Sequence, residues 1–230
     1  MTLFEREDND FGSDVGTRAL SVTAVENASV ERVYQKLSKV YDLVYGPTLH
    51  PGRLAALERM AIRPGARILE VGVGTGINTS LYPRNCRVTG IDLSSSMLEK
   101  ARERVARERL RNVRLIEMDA ANLTFADDAF DIVYAPYLVS VVPDPVQVVR
   151  EMRRVCRPGG TIVILNHFRS ANVILSRLEC AISPFTVHIG FKSDLDLPGF
   201  LAQAELRPIS IDKVNVPRIW SLVKCVKDRA

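Results

Sequence analysis

The run from Arg67 to Asp92, RILEVGVGTGINTSLYPRNCRVTGID, constrains this chain more than any other stretch. Apolar residues lead into three glycines at alternate positions, and a second apolar stretch ends in an acid. That order reads as a buried strand, a tight turn, a short helix and a second strand. Gly72, Gly74 and Gly76 have no side chain to hold a ligand away from the backbone. Asp92 follows about 20 residues after the first strand, where such folds place a carboxylate to grip two ribose hydroxyls. That order is expected of an open α/β sheet with a nucleoside site at the carboxyl ends of its strands.

The rest of the sequence supports that architecture. Strands are expected near Arg67–Val71, Arg87–Ile91, Val113–Glu117, Phe130–Ala135 and Thr161–Asn166. Helices are expected near Gly76–Tyr82, Ser95–Arg109 and Pro145–Val155, the last stopped by Pro158-Gly159-Gly160. Strand–helix alternation implies a parallel sheet covered on both faces. A helix near Leu195–Ala204 and strands near Arg207–Val214 and Trp220–Val226 close the chain. Residues 1–27 read as a flexible segment and 28–64 as N-terminal helices. Residues 65–230 read as the main domain, with an insertion at 168–193. In the N-terminal part, Val30, Val33, Tyr34, Leu37, Val40, Tyr41 and Val44 share one helical face. A second helix spans about Gly52 to Ile62.

Composition narrows the function classes. At 230 residues and 47% hydrophobic, the chain suits one α/β domain. Its net charge of +4 is mild, and no aromatic–basic stripe for nucleic acid is present. The four cysteines lack paired spacing, so reduced thiols and no metal site are expected. No apolar run reaches the roughly 18 residues of a bilayer span.

The glycine spacing is G-x-G-x-G, and an acid, Glu70, ends the first strand. That pattern resembles motif I of the class I S-adenosylmethionine (SAM) methyltransferases. IDLSSSML, DAFDIVYAPYLVSVVPDP and RPGGTIVI follow in the order of that family's later motifs. The resemblance implies a Rossmann-like seven-stranded sheet with an antiparallel C-terminal pair, plus the N-terminal amphipathic helix. It implies SAM as cofactor and S-adenosylhomocysteine as product. Glu70 would meet the methionine ammonium, and Gly72, Gly74, Thr75 and Gly76 the cofactor's path. Asp92 would hold the ribose diol, Leu93 and Met97 would flank the adenine, and Asp119 would meet its amine beside the Ala120 amide. Pro136 would line the way to the acceptor. Each residue also has a plainer reading: Asp92 and Asp119 as helix-terminal acids, Met97 as core. Their joint register favours the cofactor reading. Asp131, at the start of a buried strand, reads as structural.

The acceptor is read from the flanks. YDLVYGP, ILEVGVGTGINTSLYP, the VVPDP turn and ILNHF resemble the bacterial soluble phospholipid N-methyltransferases, the Rhodobacter-type enzymes. That likeness implies stepwise methylation of phosphatidylethanolamine to phosphatidylcholine, by a cytoplasmic protein peripheral to the inner face of the membrane. A membrane surface, in some cases anionic, is then the partner, and a monomer with no nucleic acid or metal is expected. Tyr41, Tyr45 and Tyr137 are candidates to hold the headgroup cation, with Tyr41 also reaching the cofactor. Asn166 and His167 face the acceptor side, His167 as a general base or as a structural imidazole. Arg169, Arg177, His188 and Lys192 are candidates for the phosphate. The N-terminal helix reads either as a lid or as a membrane contact. A quinone precursor or other small acceptor, or a non-catalytic membrane-binding role, are the competing readings.

Overall fold

A computed structural model describes residues 49–169, 195–215 and 218–228. The expected helix from Val30 to Val44 and nearly all of the insertion lie outside them. Helix α1 runs through residues 49–60. The strands are β1 (Arg67–Val71), β2 (Arg87–Asp92), β3 (Val113–Glu117), β4 (Phe130–Pro136), β5 (Cys156–His167), β6 (Pro208–Val214) and β7 (Trp220–Val226). Three further helices are α2 (Ser95–Arg107), α3 (Pro145–Val155) and α4 (Leu197–Gln203).

The seven strands form one sheet in the order β3-β2-β1-β4-β5-β7-β6. β1 to β5 pair in parallel, while β7 pairs antiparallel with both β5 and β6. Successive strand residues point to opposite faces, so β1 sends Ile68 one way and Leu69 the other. Ile68, Tyr134, Val163 and Leu165 meet Ala56 and Met60 of α1. Leu69, Val133, Ala135, Ile162 and Ile164 meet Val149 and Met152 of α3 and Phe200 of α4. Strands buried on both faces explain the near-continuous apolar runs of β4 and β5. The described part of the N-terminal helices is thus built into the domain's core.

Local signals set most helix ends. Ser94, Asp144 and Asp196 cap α2, α3 and α4 by accepting from Met97, Gln147 and Gly199 backbone N–H groups. Asp131 lies at the base of the sheet, where Arg67 and Arg157 both reach its carboxylate. Burial pushes that carboxyl up, but the arginine hydrogen bonds outweigh it and lower it to about 2. Asp131 is structural, as its position implied. Cys86, Cys156 and Cys225 are free and buried.

Two expectations are corrected. Residues Gly76–Tyr82 form turns closed by Thr79 N–H to Gly76 O and Leu81 N–H to Asn78 O, with no helix. Thr79 Oγ1 donates to Gly76 O within the turn, a local bond that competes with helical pairing, while Asn78 and Tyr82 both reach back to the Glu70 carboxylate on β1. β5 begins at Cys156, five residues earlier than expected. The strand accommodates Pro158-Gly159-Gly160 through a register shift between Phe130 and Ile132 on β4. Gly160 lies so close to the Cys156 sulfur that a Cβ there would sit 2.7 Å from it.

Candidate active site

The strand order reverses between β1 and β4: β2 follows on one side and β5 on the other. Ligands of open α/β sheets bind beyond the carboxyl ends of strands at that point. A cavity of about 270 Å³ lies there, room for one nucleoside-sized ligand.

The glycine turn forms its floor. Gly72 and Gly74 have φ of +76° and +55°, the left-handed region. A Cβ on Gly74 would enter open space, whereas one on Gly76 would meet Ala101 of α2 at 3.0 Å. Gly74 therefore borders the cavity, while Gly76 is a packing glycine outside its wall. Asp92 fixes the turn: Oδ2 accepts from Gly74 N at 2.8 Å and Oδ1 from Ser94 N at 2.9 Å. Each oxygen retains a lone pair for a ligand hydroxyl. Burial raises the Asp92 carboxyl above its ordinary range.

Further along the wall, Leu93 is 45% exposed and Met97 is buried, and both line the cavity. Asp119 accepts from the Ala121 amide at 2.9 Å, which shapes the loop beside Ala120. Thr75 and Pro136 also line the cavity. An exposed leucine beside an acid with spare acceptors fits an adenosine, and the open space over Gly74 fits its approach.

The structure places Glu70 behind this wall. Its carboxylate accepts from Asn78 Nδ2 at 2.6 Å and from Tyr82 OH at 2.7 Å, and the residue is 1% exposed. Burial raises its carboxyl to about 7, although the two hydrogen bonds and Arg53 oppose the shift. The unfolded group titrates near 4.5, so between about pH 4.5 and 7 the folded chain holds a proton that the unfolded chain has lost. Glu70 therefore makes stability fall as pH rises through that window, by roughly 3 kcal/mol in all. Denaturant titrations at pH 5 and pH 8 should show this fall in the wild type and a flatter profile in Glu70→Gln. Equal profiles in the two proteins would mean that Glu70 is charged throughout.

Tyr137 lines the cavity with a backbone φ of +56°, a costly conformation for a bulky residue. Its N–H donates to Leu165 O at 2.5 Å, and its hydroxyl donates to Leu49 O at 2.9 Å. The hydroxyl also accepts from Asn215 Nδ2 at 3.1 Å. One ring face carries the Arg53 guanidinium at 5.0 Å. Asn166 and His167 lie outside the cavity wall. Asn166 is fully buried, accepting from Ser140 Oγ and donating to His167 O. His167 packs its ring edge-on to Trp220, and burial, aided by Lys213, lowers it to about 4. It is a neutral imidazole at pH 7 and a weak base. Arg169 pairs with Asp196 at 2.8 Å. Tyr41, Tyr45, Arg177, His188 and Lys192 lie outside the described residues.

The cationic residue of the wall went unread in the sequence. Arg53 of α1 lines the cavity and is 7% exposed. Its signal was available: Leu49, Arg53, Ala56 and Met60 form the buried stripe of α1, and an arginine is rarely buried in such a stripe unless partners receive its charge.

The fold and the switch-point cavity define a Rossmann-like nucleoside-binding protein. The family model described as a methyltransferase domain matches residues 69–164. A phosphatidylethanolamine N-methyltransferase of Cereibacter sphaeroides is 41% identical over 186 residues, covering 80% of this chain and 91% of that protein. A demethylmenaquinone methyltransferase of Staphylococcus aureus (strain Newman) is 36% identical over 145 residues, 59% of each chain. A Haemonchus contortus N-methyltransferase solved with phosphomonomethylethanolamine and S-adenosylhomocysteine shares the fold. Its TM-score is 0.72 at 19% identity, over 87% of this chain and 59% of that one. The chain belongs to the class I SAM-dependent methyltransferases, in the family of the Cereibacter enzyme. It is a methyltransferase, and its cofactor is S-adenosyl-L-methionine.

Proposed function

We propose that this enzyme methylates the amine of phosphatidylethanolamine at a membrane surface, proceeding through mono- and dimethyl forms towards phosphatidylcholine. The observation that carries this reading is the reach of the Cereibacter match, which spans 186 residues and so extends well beyond the cofactor half. The cavity wall that follows Tyr137 in the chain is also apolar, with Leu138, Val141 and Val142. No helix among the described residues is long and apolar enough to cross a membrane. The lipid would be met at the bilayer surface, with the segment from Val30 to Val44, whose apolar residues recur at helical spacing in the sequence, as the contact.

Methyl transfer from a sulfonium is an in-line displacement, so the protein's task is to align an unprotonated amine and exclude water. An ammonium of this kind titrates near 10, by analogy with lysine. At about 4, His167 is too weak a base to draw that proton efficiently. The proton is then lost to solvent as the amine docks, and His167 shapes the site as a neutral ring. Tyr41 and Tyr45 hold the headgroup cation, and Arg177, His188 and Lys192 its phosphate. In the cofactor half, Asp92 holds the ribose diol and Leu93, Met97 and Asp119 the adenine.

The test incubates the purified protein with methyl-labelled SAM and vesicles of phosphatidylethanolamine, and reads headgroup masses. Mono-, di- and trimethylated lipid is the expected outcome. SAM binding without any labelled lipid would sink the proposal. Transfer to a demethylated quinone in place of lipid would support the reading suggested by the Staphylococcus relative.

A further inference from the structure

Arg53 poses a physical problem that the protein alone leaves unsolved. A guanidinium that is 93% withdrawn from solvent requires partners for its donors and its charge. Nη1 donates to Asn78 Oδ1 at 3.0 Å, and the guanidinium carbon lies over the Tyr137 ring, 5.0 Å from its centroid. Nε is buried with no acceptor, and no carboxylate pairs directly with Arg53 among the described residues. Glu70 offers only indirect compensation, through the shared Asn78 amide.

The cavity wall explains what is missing. Its other charged residues, Asp92, Asp119 and Asp144, are all acids, and Arg53 is the one cation among its described residues. SAM carries two positive groups and a single anion, the methionine carboxylate. Asp92 and Leu93 mark the nucleoside end. Arg53 lines the same cavity away from these residues' hydrogen-bond network, held by Asn78 of the turns after the glycines and by Tyr137. We propose that Arg53 holds the carboxylate of the cofactor's methionine moiety, using its planar fork and the unsatisfied Nε. Asn78 and Tyr137 hold the guanidinium in place, and Glu70 acts on it through Asn78. This inference rests on the cofactor and is independent of which acceptor is methylated.

Calorimetric binding of SAM and of decarboxylated SAM tests it without any turnover. The wild type is expected to favour SAM by roughly tenfold to a hundredfold, the range for hydrogen bonds to a charged group. In Arg53→Met and Arg53→Gln that preference should fall below about threefold, with decarboxylated SAM bound nearly as in the wild type. Thermal unfolding without ligand checks that each variant is folded, and the glutamine variant can keep the Asn78 bond if methionine unfolds the chain. A wild type that binds the two ligands equally would overturn the proposal and needs no variant. Equal loss of both ligands in the folded variants would reduce Arg53 to packing. Retained preference with a raised KM for vesicle lipid would move it to the acceptor's phosphate.

Discussion

Replacing Asp92 by alanine is expected to lower SAM affinity by about a hundredfold to ten-thousandfold, as two charge-assisted hydrogen bonds to the ribose are lost. The same carboxylate accepts from Gly74 and Ser94, so its loss also loosens the glycine turn. Asp92→Asn separates these effects, because one oxygen remains to receive a backbone N–H. An S-adenosylhomocysteine analogue lacking the 2′-hydroxyl provides the second side of a cycle. Wild-type protein should bind the deoxy analogue far more weakly than the parent. Asp92→Asn should bind the two almost alike, because the partner of the missing hydroxyl is already gone. Additive losses would mean that the diol is held elsewhere and that Asp92 serves the turn alone.

The place of Asp92 on the cavity wall was legible because strand, turn and acid lie within one short stretch whose spacing is set by local geometry. The same locality explains why β1, β3, α3 and β7 were read with the bounds the structure has. Pro145 and the Asp144 cap fix the start of α3, and alternating apolar residues mark the strands. Readings failed where side chains reach across the fold. Nothing local in Asn78 or Tyr82 reveals that both bind Glu70, so Gly76–Tyr82 looked helical. Glu70 looked like a ligand-facing acid because a strand-end position does not say on which side of the wall a side chain lies. Asn166 and His167 were placed on the correct strand end, but their burial is set by β7 and by the loop carrying Ser140. Arg53 was missed because α1 was read for its boundaries and not for the residue interrupting its buried stripe.

That stripe bears on activity through a junction of three distant segments. Asn215, at the end of β6, accepts from Gly52 N at 2.6 Å and donates to the Tyr137 hydroxyl, which in turn donates to Leu49 O. Asn215 has a φ of +62°, a conformation that asparagine tolerates better than most residues. α1 is thereby pinned to the loop that presents Tyr137, and Arg53 is carried between them. Gly52→Ala makes a sharp test. In an exposed helix interior, alanine would be favoured over glycine by about 1 kcal/mol. Here its Cβ would sit 2.7 Å from Asn215 Oδ1 and 2.9 Å from the Tyr137 hydroxyl. The helix must shift or the junction must open, so Gly52→Ala should destabilise the protein by roughly 2 kcal/mol. SAM affinity should fall about tenfold as Arg53 is displaced. Asn215→Gly removes the same hydrogen bonds while keeping the backbone angle, and should reproduce both losses without any steric conflict. Denaturant unfolding and calorimetry on the two variants read these effects directly. If Gly52→Ala stabilises the protein, or Asn215→Gly binds SAM as the wild type does, α1 is held by its apolar stripe and the junction does not position Arg53.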